Sequence, residues 1–209
     1  MDGDIILNWI NTTVSYQGPM QSEIELNVER GEQSWKDVVY DTSDIKLSIK
    51  LTPISGLALN LSTSKEKTID FVNSQSGDLF SLSPNITLNL GEHFQSQIRY
   101  THQKMDVAGG ELFKTRLIDA RFIYQFSVES FIRLVVQYND TERNKNLYIN
   151  NIDENRRSLG TQLLYSYKIN PQTVFFLGYS DSAFEDDNMN KLQKTDKTLF
   201  LKMSYSWLR

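Results

Sequence analysis

The residues that could do chemistry are few and scattered. Two histidines, His93 and His102, flank one candidate strand, and neither belongs to an HExxH or other ligand spacing. Cysteine is absent, which removes disulfides, thiolate nucleophiles and thiolate metal sites. The run Glu185-Asp186-Asp187, with Asp181 and Asp196 nearby, gathers carboxylate oxygens of the kind Ca²⁺ takes. It lacks EF-hand spacing, and a solvated loop is the plainer reading. No G-x-S-x-G elbow, Walker loop or dinucleotide fingerprint is present. A hydrolase would have to use loop carboxylates such as Asp140, Asp181 or Glu185. The reading adopted here has no catalytic residue, no metal and no cofactor, and is not an enzyme. Asp119, Arg121 and Arg133 form the most suggestive cluster. It could be a selectivity or ligand site, but charges that neutralise one another and fill a polar interior are the plainer reading.

Period two dominates the elements that must position these residues, and it is the strand signature. Clear cases are Ile45-x-Leu47-x-Ile49-x-Leu51, Ile118-x-Ala120-x-Phe122-x-Tyr124-x-Phe126 and Leu199-x-Leu201-x-Met203-x-Tyr205-x-Trp207. About eleven strands are expected, at roughly 4–16, 21–30, 44–52, 57–71, 78–90, 94–105, 112–126, 131–139, 157–168, 173–181 and 197–208. Many reach the 9–11 or so residues that a tilted strand needs to cross a bilayer, whereas soluble strands average about five or six.

Composition is compatible with this. The net charge of −4 is spread along the chain without a basic stripe, which argues against nucleic acid. Mean hydropathy is −0.43, and no apolar run approaches the length of a membrane helix. A transmembrane barrel turns only alternate residues to lipid, so its average hydropathy stays low. The expected fold is an all-β, antiparallel, up-and-down transmembrane β-barrel located in the cell outer membrane. A soluble β-sandwich binding module is the rival fold.

Short turns fall at Gln17-Gly18-Pro19, Pro53-Ile54-Ser55-Gly56, Gly91-Glu92-His93, Ser127–Ser130 and Asn170-Pro171-Gln172. Longer polar links are expected at about 31–43, 72–77, 106–111, 140–156 and 182–196. Gly109-Gly110 should supply a tight turn with positive φ. Short periplasmic turns alternating with longer outer loops place the last strand running down to the periplasm. The first strand would also run downward, which implies at least one further strand upstream. Met1-Asp2-Gly3-Asp4 has no signal-peptide character. Residues 1–209 are therefore expected to be a C-terminal barrel region, part of a larger barrel.

Alternation assigns the faces. Ile118, Ala120, Phe122, Tyr124 and Phe126 should face lipid, as should Ile132, Leu134, Val136 and Tyr138. Arg99, Asp119, Arg121, Arg133, Lys168 and Lys202 should face the lumen, because a charge at mid-bilayer costs about 2–4 kcal/mol for Arg or Lys. Arg116 breaks parity near the outer rim, where it could snorkel. Tyr124, Phe126, Tyr165, Tyr167, Tyr205 and Trp207 fit a periplasmic aromatic girdle. Arg143, Arg156 and Arg157 could meet lipopolysaccharide phosphates at the outer rim.

Several segments carry a family resemblance. They are Gly110-Glu111-Leu112-Phe113, Arg121–Ser127, Ser130–Arg133, Gln137–Asp140, Arg143-Asn144 and Thr161–Asp181. From about Asp70 to the end, the chain resembles the C-terminal barrel of an uncharacterised family of bacterial outer-membrane proteins. Members carry an N-terminal β-sandwich similar to family 9 carbohydrate-binding modules. The resemblance implies an anchor or pore for a carbohydrate-binding or carbohydrate-handling surface protein, with any carbohydrate bound by that N-terminal domain. The alternating Leu201, Met203, Tyr205 and Trp207 also resemble the signal read by the barrel-assembly machinery, although Leu208 and Arg209 follow the terminal aromatic. Expected partners are thus outer-membrane lipid, lipopolysaccharide and that machinery.

Overall fold

Among the described residues, alternating β-branched and aromatic residues fold into strands only, apart from one short 3₁₀ turn, Lys145–Leu147. The computed structural model describes residues 7–170 and 173–205. The strands are β1 (Leu7–Gly18), β2 (Ser22–Trp35), β3 (Val38–Ile54), β4 (Leu57–Asp70), β5 (Gln75–Leu90), β6 (Phe94–Val107), β7 (Gly110–Gln125), β8 (Ser130–Arg143), β9 (Asn155–Asn170), β10 (Thr173–Glu185) and β11 (Gln193–Ser204). They form one eleven-stranded sheet in sequence order, each strand antiparallel to the next. The expected number of strands and the up-and-down topology both hold. Among the described residues there is no second sheet to bury Phe122, Leu134, Leu163 and Met203, so the sandwich is excluded; Leu163 stays 39 % and Met203 70 % exposed.

Two expected links are strand instead. Residues 31–43 complete β2 and β3, which meet at a two-residue turn of Lys36 (φ 49°) and Asp37 (φ 63°). Two left-handed residues match the right-handed twist of a hairpin. Residues 106–111 likewise reduce to a turn of Ala108 and Gly109, with Gly110 at φ 114°. The link expected at 72–77 shrinks to Phe71–Ser74. The cause is physical: above the bilayer both strand faces meet water, so the alternation disappears while the hydrogen-bonded ladder continues. Long links remain only at 144–154 and 186–192, and the regular short-long alternation does not hold along the whole chain. Pro171, Gln172 and Trp207 lie outside the described residues.

Directly paired residues share a face, so the register extends one assignment across the sheet. Ile118 pairs with Tyr100 and Tyr138, Phe122 with Leu134, and Leu134 with Leu163. The same outward face runs through Leu177–Leu201 at one edge and through Ile49–Ile24–Tyr16 at the other. On β5 the outward positions run Phe80, Leu82, Pro84, Ile86, Leu88 and Leu90. That band spans roughly 33 Å along the strand, or roughly 25 Å across a bilayer at a tilt of about 40°. The opposite face is mostly small and polar: Ser48, Ser62, Ser83 and Thr101 lie along it.

Buried apolar residues are confined to the loop end. Leu112, Ile69 and Met105 are enclosed there. A Cβ on Gly77 would lie 2.6 Å from Met105 Cε, and one on Gly109 would lie 2.5 Å from Leu147 Cδ2. These glycines let the long β8–β9 loop and the strand tips close over one another.

Candidate lumen site

The inner face separates charge by sector. On β2–β4, Glu29 pairs in register with Asp44, and Asp44 with Glu66, so three carboxylates stand in one row. Lys46 stands in the next row, Glu25 lies beyond it, and Glu23 is held by Lys50 at 2.9 Å, so this sector is mainly acidic. On β6–β8 the sign reverses, and Arg99, Arg121 and Arg133 project from the same inner face. Arg99 stands opposite Asp119, whose carboxylate accepts from Gln137 Nε2 at 2.6 Å. None of the three arginines has a carboxylate within ion-pair reach among the described residues. Charged side chains of opposite sign on neighbouring walls set up a field across the interior that orients a passing ion.

Arg121 and Arg133 border a groove of about 430 Å³ together with Gln137, Gln162, Ser180 and Asp196. Gly160, opposite Gln137 and Ser182, keeps its floor open, since nothing lies within 4 Å of where its Cβ would be. Such a surface offers two guanidinium forks and several amide and hydroxyl groups to an anion or a polar solute. Lys168 and Lys202 share the inward parity but sit near the end of the sheet opposite the long loops, away from the groove.

The mouth is narrowed by the β8–β9 loop. Ile149 N–H donates to Asn73 Oδ1 at 2.9 Å, bridging to the β4–β5 turn. That turn is itself organised by Asp70, which accepts from the N–H groups of Val72 and Asn73 and from Gln75 Nε2. Trp35 Nε1 donates to Ser74 Oγ at 3.2 Å, and the Trp35 and Phe71 rings meet edge to face at 5.0 Å. Asp187 of the β10–β11 loop accepts from the N–H groups of Glu154 and Asn155, at 2.6 and 2.8 Å, and from Lys145 Nζ at 3.3 Å. The two backbone donors, with Lys145, hold its carboxyl down to about 2. Asp187 therefore latches the two long loops together.

On the outer face, Arg116, Asp140, Arg157 and Glu185 stand in one register row. They alternate in sign and join through contacts of 3.1, 3.2 and 3.1 Å. Arg116 also reaches Glu142 at 3.1 Å, which satisfies the parity-breaking arginine. Arg157 is thus spent on carboxylates, Arg143 donates to Asp153 O, and Arg156 lies on the inner face over the Phe184 ring. The carboxylates considered for hydrolysis are similarly engaged: Asp140 and Glu185 in this row, Asp181 with Lys194 at 3.4 Å.

The aromatic positions fall as the faces require. Tyr124 stacks on His93 and meets Phe126 edge to face, Tyr165 and Tyr167 share their outward row with Ile132 and Ser130, and Tyr205 is exposed beyond β11. Sequence reasoning missed the acidic row on β2–β4 and the Asp187 latch. The first was legible as the odd positions of β2 carried across by parity. The second depends on how two loops fold and leaves no pattern in the chain.

No protein-family model matches the chain, and no curated protein matches it. Among solved structures, it is similar to OmpT, an outer membrane protein of Vibrio cholerae described in a trimer form, with a TM-score of 0.53 and 12 % identity over 91 % of this chain. The chain spans 60 % of the length of that protein. The NanC porin aligns with a TM-score of 0.40 and 8 % identity, over 84 % of this chain and 81 % of its own. Joined to a lipid-height band of outward apolar residues, the likeness to OmpT shows the fold: an antiparallel, up-and-down β-barrel sheet of the kind that outer-membrane proteins have.

Proposed function

We propose that this sheet is most of the wall of a larger outer-membrane barrel, a pore whose arginine-bearing sector favours small anionic solutes. The observation that carries the reading is the set Arg99, Arg121 and Arg133, on the inner face without ion-pair partners among the described residues, with Arg121 and Arg133 lining a groove. Unpaired guanidinium groups on a lumen wall raise the local concentration of anions and exclude cations. The resemblance of the chain from about Asp70 onward supports a further role, as the membrane part of a protein that binds or handles carbohydrate at the cell surface.

An anchor without conduction is the second reading, and the inward-folded β8–β9 loop favours it. Planar-bilayer recordings of the full-length protein in a KCl gradient separate the two. The pore should conduct with a reversal potential on the anion side, and Arg121→Gln with Arg133→Gln should move it toward cation selectivity. Absence of conductance leaves the anchor. Conductance with unchanged selectivity removes the arginines from the role assigned to them.

A further inference from the structure

We infer that Arg30, Lys65 and Lys67 form an outward-facing patch that binds the phosphate groups of lipopolysaccharide in the outer leaflet. Parity places all three on the lipid-facing side: Arg30 and Lys67 both pair with Ser43, and Lys65 pairs with Ile45. Arg30 and Lys67 are two strands apart, roughly 10 Å at the usual strand spacing, and Lys65 is two residues along from Lys67. Arg30 follows Val28 at the next outward position of β2, Ile45 of β3 pairs with both Val28 and Lys65, and Lys65 lies two outward positions beyond Leu61 on β4. Val28 is 42 % and Ile45 54 % exposed, as side chains are that meet acyl chains. A cation at that height lies where the headgroup phosphates lie.

The contrast along the sheet singles these three out. On β6–β9 the outward cations at the same level, Lys104, Lys114, Arg116 and Arg157, are all ion-paired. Arg30, Lys65 and Lys67 have no carboxylate within 4.0 Å among the described residues, although Asp78 stands opposite Lys67 in register and Glu32 and Asp41 follow Arg30 and Ser43 on the same face. Cations left unneutralised at a membrane boundary match an anionic partner, and lipopolysaccharide supplies one in this leaflet. The rims proposed from sequence, at Arg143, Arg156 and Arg157, have other partners, so the patch lies on the opposite half of the sheet.

This inference rests on the reading that the long loops are extracellular. The test uses the full-length protein refolded in detergent micelles, with bisphosphorylated lipid A and its dephosphorylated form as probes and native mass spectrometry as readout. The wild type should retain the phosphorylated form at least tenfold better. Arg30→Gln, Lys65→Gln and Lys67→Gln should each cost about fivefold, the size expected for one basic residue near a charged lipid surface. The triple variant should lose the discrimination while keeping its heat-modifiable gel mobility. Arg157→Gln, which opens an ion pair on the other half of the sheet instead, should keep it. Unchanged discrimination in the triple variant, or equal loss in Arg157→Gln, overturns the patch. Orientation fails separately: Asn188→Cys on intact cells would then resist an impermeant maleimide.

Discussion

Asp187 holds two loops through two backbone N–H donors and one lysine, so its charge is what it contributes. Its pKa is about 2 in the fold against about 3.9 for a free aspartate. A carboxyl with a depressed folded pKa stabilises above its unfolded value and loses that contribution as pH falls through the folded one. Lys145, raised by Asp187 first and by Glu154 next, stabilises below the ordinary lysine range and stops doing so above it. The latch should therefore be whole between about pH 5 and pH 9 and should weaken progressively from about pH 4 toward pH 2. Hydrogen exchange of the Glu154 and Asn155 amides checks this: both should become faster in acid, and Asp187→Asn should speed them at neutral pH. Protection unaffected by Asp187→Asn would remove the latch.

At the scale of the element, the membrane-spanning part of each strand was legible because hydrocarbon enforces alternation. Ile45 to Leu51 on β3 and Ile118 to Tyr124 on β7 declare their outward face without any other information. The tips of the same strands were not legible. Glu29–Trp35 and Val38–Asp44 carry polar residues on both faces, and only pairing across the Lys36–Asp37 turn makes them strand. The inward parity of Arg99, Asp119, Arg121 and Arg133 followed from alternation, whereas their separation from the acidic row needed the register. Close strand approach makes a further prediction. Gly31 faces Trp9, and a Cβ there would lie 2.2 Å from the Asn8 carbonyl oxygen and 2.6 Å from Trp9 Cβ. Backbone cannot swing aside as a side chain can, so Gly31→Ala should loosen the outer half of β1 from β2. Faster amide exchange at Asn8–Ile10 and a shifted Trp9 fluorescence would report it, while exchange in β7–β9 should not change.

At the largest scale, the odd number of strands among the described residues sets a condition on closure. β1 and β11 run the same way along the sheet, so joining them directly would make a parallel seam, whereas an odd number of added strands closes the barrel antiparallel throughout. Cysteines replacing Thr12 and Leu201 in the full-length protein should accordingly fail to form a disulfide within one chain; efficient crosslinking would mean that the two edges meet. Neighbour-to-neighbour order also has a mechanical consequence. A sheet connected this way can be peeled from one end, hairpin after hairpin, with similar force steps. The Ile149–Asn73 hydrogen bond joins residues 76 apart and skips four strands. Extraction by a pulling tip should therefore stall when it reaches β9, and release there as one larger unit rather than as one more hairpin.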